Sequence, residues 1–203
     1  MSILKPTPKT IQNLIRVIPD HPRPGVLYQD MASIFNAPRG LQDVMSLFND
    51  YLLAKGKIKF DKIVGLDARG FPMAGALSSQ TGIPFSMARK KGKLPGETIF
   101  TEYELEYGTD ELHLQVDAIK KGDEVLVIDD VIATGGTLEA AIDLIERCEA
   151  DVICILSIME LEFLGGGAKL RDSGYDVYSI CLLYTSDAAD DLLCVDLGGR
   201  RII

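Results

Sequence analysis

From Ile63 onward the chain alternates short apolar runs with stretches of helical spacing, and this alternation limits the fold more than any other feature. The runs "KIVGLD", "PFSMARK", "DEVLVIDD" and "DVICILSIME" are separated by "GFPMAGALSSQTG" and "TLEAAIDLIERCEA". Apolar runs of this length, interleaved with helices, are strands buried on both faces. They predict an α/β fold with a central, mainly parallel β-sheet flanked by helices.

Ahead of that core, Ile11, Leu14, Ile15 and Ile18 recur at helical spacing and predict a helix over Thr7 to Val17. The segment "PDHPRPG" stops it, because three prolines remove amide donors and hold their predecessors extended. A second helix is predicted from about Pro38 to Lys55, with Leu41, Val44, Met45, Phe48 and Leu52 as its apolar stripe. Between Glu97 and Ile119 the apolar residues alternate instead, on both sides of "YGTD", which predicts a β-hairpin solvated on one side.

With 21 Lys and Arg against 30 Asp and Glu, the net charge is −9, so no global field draws nucleic acid or an anionic membrane. Any anion must be held by a local site. The cysteines Cys148, Cys154, Cys181 and Cys194 lack the spacing of a zinc site or a disulfide framework. His21 and His113 have no metal-ligand partner nearby in sequence and read as ordinary surface or loop residues. No window approaches the ~18–20 apolar residues of a membrane span, and the polar, proline-interrupted N-terminus does not read as a secretory signal. A soluble, cytoplasmic protein is expected.

The stretch "VLVIDDVIATGGTL" carries the chemistry. A buried strand over Val125 to Ile128 puts Asp129 and Asp130 at its C-terminal end, where open α/β sheets bind ligands. Ala133, Thr134, Gly135, Gly136 and Thr137 then form a loop opening a helix over Leu138 to Cys148. There backbone amides and two hydroxyls converge on the positive end of the helix dipole, as a phosphate site requires. The acids repel phosphate, so they suit the hydroxyls of a sugar on the same ligand, and a ribose 5-phosphate satisfies both. Neither the Walker glycine–lysine loop nor the dinucleotide glycine motif is present. The plainer alternative is a tight Gly-Gly turn with Asp130 as a cap.

These residues resemble the phosphoribosyl pyrophosphate motif of the type I phosphoribosyltransferases. Three further stretches narrow the resemblance to the adenine phosphoribosyltransferases: "VIPDHPRPGVLYQD", "VGLDARGF" and "ARKKGKLPGETIFTEYELEYG". The similarity runs from about Ile15 to Ile180. It implies a phosphoribosyl site at Asp129, Asp130 and Ala133 to Thr137. It also implies a pyrophosphate site at Asp67, Ala68, Arg69, Arg89, Lys90 and Lys93, with a cis Asp67–Ala68 peptide and Lys91 pointing outward. Glu106 and Tyr107 would be catalytic residues on a closing flap, with Arg69 beside them. Leu27, Tyr28 and Gln29 would cover adenine from a hood and Leu161 from the other side, although the family usually has arginine at Gln29. Spacing alone makes the basic cluster a solvated strand end, Glu106 and Tyr107 a hairpin surface, and Leu161 core.

The resemblance further implies a homodimer, a requirement for Mg²⁺ held through ligand oxygens and water rather than directly by protein, and formation of AMP and pyrophosphate from adenine and phosphoribosyl pyrophosphate. A transferase for xanthine, hypoxanthine or orotate, or a non-catalytic phosphoribosyl pyrophosphate sensor, stays open as an alternative. The expected organisation is an N-terminal helix and hood over 1–35, a core over 36–180 with its flap at 97–119, and a tail over 181–203. That tail resembles a translated sequencing-library adapter rather than the family, yet its "LLCVDL" is able to add a strand to an exposed edge.

Overall fold

The computed structural model describes residues 5–21, 24–57, 59–105, 108–184 and 192–194. After α1 (Pro8–Gln12), strands β1 (Arg16–Pro19) and β2 (Leu27–Asp30) pair antiparallel as a separate two-stranded sheet. Helices α2 (Ala32–Asn36) and α3 (Gly40–Ala54) follow, then β3 (Lys62–Leu66), α4 (Gly70–Thr81) and β4 (Phe85–Lys90). The hairpin strands are β5 (Thr98–Leu105) and β6 (Gly108–Gln115). The chain continues through β7 (Glu124–Ile128), the short β8 (Val131–Ile132), α5 (Gly136–Arg147), β9 (Asp151–Leu161), a 3-10 turn (Glu162–Leu164), α6 (Gly166–Asp172) and β10 (Val177–Leu183). Leu192–Cys194 forms β11, which pairs antiparallel with β10.

Among the described residues the main sheet has nine strands, ordered β11-β10-β9-β7-β3-β4-β6-β5, with β8 attached to β9. Pairings from β10 through β9, β7 and β3 to β4 are parallel, and the hairpin joins antiparallel beside β4. The strand centres are apolar on both faces because both are covered. On β7, Leu126 and Ile128 belong to the core with Phe48 of α3 and Met73 of α4, whereas Val125 and Val127 belong to the core with Leu138, Ile142 and Ile145 of α5. This is the period-two placement of a pleated strand between two helical layers. Burying a side chain such as Phe48 completely contributes ~1.5–3 kcal/mol.

From β3 the chain winds outward through α4 to β4, and from β7 it winds the other way through α5 to β9. The neighbours β3 and β7 therefore flank the topological switch point, where a crevice opens at the strands' carboxyl ends. Asp67 follows one of these ends, and Asp129 and Asp130 follow the other.

Three expectations change. The predicted N-terminal helix stops at Gln12, and Arg16 to Pro19 is strand. Val17 and Ile18 are β-branched, and pairing with Gln29 and Tyr28 supplies the hydrogen bonds a longer helix would have made. Helix α5 begins at Gly136 rather than Leu138. Strand β10 runs past Ile180 to Leu183, with Cys181 and Leu183 buried, so the sheet continues into the residues expected to be tail.

Candidate active site

At the end of β7 the backbone is locked before its side chains are placed. The Asp130 carbonyl accepts from the amides of Ile158 (3.1 Å) and Met159 (3.0 Å), and the Asp129 amide donates to the Leu156 carbonyl (3.1 Å). Asp129 Oδ1 accepts the Asp130 amide at 2.9 Å. Burial, and next the neighbouring Asp130 charge, push the Asp129 carboxyl well above its ordinary range. Asp130, only 4% exposed, takes the Nε–H of Arg69. Asp130 is thus held by Arg69 and Asp129 by the Asp130 amide, and both acids border one crevice.

Beyond them β8 pairs with Met159 and Glu160 of β9 and turns the chain into the loop Ala133 to Thr137. Gly135 sits at φ +88° as the N-cap of α5, a conformation that favours glycine. The first-turn amides of Gly136, Thr137 and Leu138 have no intrahelical acceptor, and these residues are among those, Asp129 and residues 131–138, that line a small cup of about 70 Å³. The loop rests on Gly166, whose amide donates to the Ala133 carbonyl at 3.1 Å. A methyl at Gly166 would lie 2.3 Å from that oxygen, so only glycine lets α6 approach this closely.

The cup adjoins a pocket of about 380 Å³ bordered by Asp67, Ala68, Arg69, Lys90, Tyr103, Asp129, Asp130 and Thr137, among others. The Asp67–Ala68 peptide is cis, as the resemblance implies. Of the predicted cations, Arg69 and Lys90 border the pocket and Arg89 does not. All three meet an acid: Arg69 meets Asp130, Arg89 Nε meets Asp67 at 3.1 Å, and Lys90 Nζ meets Asp110 at 2.7 Å. The Asp110 carboxylate raises the Lys90 ammonium above its usual range, and Lys90 in turn holds Asp110 low. Lys91 points away and pairs with Glu111 at 2.6 Å. The side chain of Lys93 is exposed and does not border the pocket; its carbonyl accepts from Arg89 Nη1 at 3.2 Å.

Tyr28 of the hood does not itself border the pocket; its hydroxyl accepts from Nη1 of Arg69, which does, at 3.2 Å, and its ring packs edge-on against His21. Leu27 and Gln29 lie on the alternate positions of β2 and do not border the pocket; the Gln29 Oε1 is buried without a partner among the described residues. Leu161, partly buried against the core, ends β9 just before the turn that carries Gly166. Glu106 and Tyr107 lie outside the described residues. His113, expected as an ordinary surface or loop residue, instead sits in β6 with contacts at both ring nitrogens, to Thr98 (3.0 Å) and Glu111 (2.9 Å).

Gly166, Tyr103 and Asp110 are not among the residues that the sequence marks as a site. The triple glycine 165–167 was the available signal for the first. Tyr103 was visible only as hairpin alternation, and Asp110 fell in the "YGTD" expected between the two strands, where the structure has Gly108–Gln115 as strand.

The phosphoribosyl transferase domain family matches residues 30–186. The adenine phosphoribosyltransferase of Leptospira biflexa is 45% identical over 172 residues, covering 84% of this chain and 96% of that protein. Among solved structures, adenine phosphoribosyltransferase from Thermoanaerobacter pseudethanolicus is 38% identical with a TM-score of 0.80, covering 88% of this chain and all of that one. The Saccharomyces cerevisiae enzyme, complexed with D-2,5-dideoxy-2,5-imino-altritol 1,6-bisphosphate and adenine, is 38% identical with a TM-score of 0.79, covering 85% of this chain and 97% of that one. An acid pair and a glycine-backed cup at the switch point of a parallel sheet accord with these similarities, which show that the chain belongs to the adenine phosphoribosyltransferases of the phosphoribosyltransferase family.

Proposed function

We propose that the protein transfers the phosphoribosyl group of phosphoribosyl pyrophosphate to N9 of adenine, releasing AMP and pyrophosphate. The observation that carries this reading is the contiguity of the Asp129–Asp130 pair with the Ala133 to Thr137 cup, which suits one ligand bearing both a diol and a phosphate. Loop amides and the Thr134 and Thr137 hydroxyls hold the 5-phosphate. Asp129 and Asp130 accept the 2- and 3-hydroxyls and offset positive charge as the bond from C1 to the diphosphate oxygen lengthens. Arg69, Arg89, Lys90 and Lys93 take up charge on the departing diphosphate. N9 bonds to C1, and Glu106, with Tyr107 beside it, receives the purine proton.

Asp67, Asp129 and Asp130 border the pocket with hard oxygen donors suited to the water shell of a diphosphate-bound Mg²⁺. That ion would supply neutralisation of the leaving group. Leu27, Tyr28 and Gln29 of the hood and Leu161 hold the base. The active form is a homodimer in the cytoplasm. Purified protein mixed with adenine, phosphoribosyl pyrophosphate and Mg²⁺ should yield AMP, and EDTA or replacement of adenine by hypoxanthine should suppress it. Equal turnover of hypoxanthine would refute the base assignment.

A further inference from the structure

Tyr103 borders the same pocket as Lys90, Asp129, Asp130 and Thr137, yet the proposed reaction gives it no part. It stands on β5 directly opposite Asp110 of β6, with 8% of its surface exposed. Asp110 takes the Lys90 ammonium at 2.7 Å, and Thr137 of the loop after β7 lines the same pocket as Tyr103 and Lys90. An ionised carboxylate only accepts, so Asp110 can take a phenol proton as well as the ammonium. Tyr103 therefore stands beside both the loop and the Asp110–Lys90 pair, placed to complete a polar chain between them.

The hairpin makes a comparable pair one residue on, between Lys91 and Glu111, but there the lysine side chain is 71% exposed and faces away from the pocket. Only the inner lysine borders the pocket shared with Thr137. An unrestrained lysine loses considerable rotamer freedom when it binds a ligand. An ammonium with three donors can keep its bond to Asp110 and still offer two to a diphosphate.

We propose that Asp110 and Tyr103 are positioning residues: Asp110 presents the Lys90 ammonium to the diphosphate end of the substrate, and Tyr103 ties that pair to Thr137, so the flap hairpin and the phosphate loop share one geometry. The inference rests on the pyrophosphate role given to Lys90 above. It calls for rates with each substrate varied separately, and for calorimetric titration with magnesium pyrophosphate, on Asp110→Ala, Asp110→Asn, Tyr103→Phe, the double variant Tyr103→Phe/Asp110→Ala, and Glu111→Ala as the outer-pair control.

Asp110→Ala should raise the KM for phosphoribosyl pyrophosphate and the Kd for pyrophosphate about tenfold, the factor for one long side chain left to order on binding. The KM for adenine should stay within about twofold. Asp110→Asn, which keeps an acceptor, should recover part of the loss. Tyr103→Phe should lose about threefold alone and nothing further in the double variant, as members of one chain do. Glu111→Ala should change neither constant. Unchanged or tighter pyrophosphate binding in Asp110→Ala, or an equal rise for adenine, overturns the proposal. Tyr103→Phe preserves the ring, so additive losses refute the chain, as does a wild-type Kd in Tyr103→Phe should Asp110→Ala not fold. A wild-type protein that binds pyrophosphate without making AMP refutes the reaction alone, whereas one that binds no pyrophosphate overturns both.

Discussion

A single methyl at Gly166 strikes the phosphate loop from beneath. The added Cβ would lie 2.3 Å from the Ala133 carbonyl oxygen, 2.6 Å from the Gly135 nitrogen and 2.6 Å from the Thr134 carbonyl carbon. Close carbon–oxygen contacts fall at ~3.3–3.6 Å, so the two backbones must separate by roughly 1 Å, and none of the three atoms belongs to a side chain that can swing aside. Overpacking of this kind costs ~1–3 kcal/mol, and a 1 Å misplacement of a positioning group can cost ~100-fold in rate. Gly166→Ala should therefore lower kcat/KM for phosphoribosyl pyrophosphate about 100-fold and lower Tm by several degrees, at ~2–4 °C per kcal/mol for a chain of this size. Steady-state rates and a thermal melt read the two effects separately. Gly75→Ala in α4 is the control: its Cβ would meet only ring atoms of Phe85, at 3.9 Å. There the gain in helix propensity should stabilise by ~0.5–1 kcal/mol. A Gly166→Ala enzyme with wild-type kcat/KM would show that the loop does not rest on that turn.

Two other substitutions probe charge. The folded protein holds the Asp129 pKa above its unfolded value, so the folded state binds more protons, and stability is lost as pH rises from the unfolded value through the raised one. Asp129→Asn should accordingly melt higher than wild type at neutral pH, with the advantage disappearing below the unfolded carboxylate range, while AMP formation falls sharply; melts across pH 3 to 8 would expose the opposite trend. At Arg171, replacement by Met strands the fully buried Glu160, which the arginine meets through both Nη atoms. Breaking such a pair from one side costs ~3–5 kcal/mol, measurable by denaturant titration, and a loss under 1 kcal/mol would refute a load on that pair.

The α/β core was legible because strands covered on both faces must be apolar throughout, which makes "VLVI" and "ICIL" conspicuous between helices. The acids and glycines after β7 were legible because strand-end position alone gives them meaning. Arg16 to Pro19 was not, since Ile15 and Ile18 fit helical spacing and only pairing with Leu27 to Asp30 makes the segment strand. Gly166 comes under the loop from 31 positions beyond Gly135, and the triple glycine 165–167 marks a close approach without naming what is approached. Hairpin alternation included Tyr103, but Asp110 fell in the "YGTD" read as the turn, whereas Gly108–Gln115 is strand, and neither Thr137 nor Lys90 could be placed beside them. Nor did the clustered charges reveal that Arg69, Arg89 and Lys90 each meet an acid, because those partners lie on other elements.

The most direct measurement is a crystal structure with a non-reacting phosphoribosyl pyrophosphate analogue and Mg²⁺. The 5-phosphate should lie within hydrogen-bond distance of the amides of residues 134–138, with both ribose hydroxyls on Asp129 and Asp130. A sugar seated elsewhere, or a phosphate held only by Arg89 and Lys90 with the Thr134 to Thr137 loop unengaged, would contradict the account.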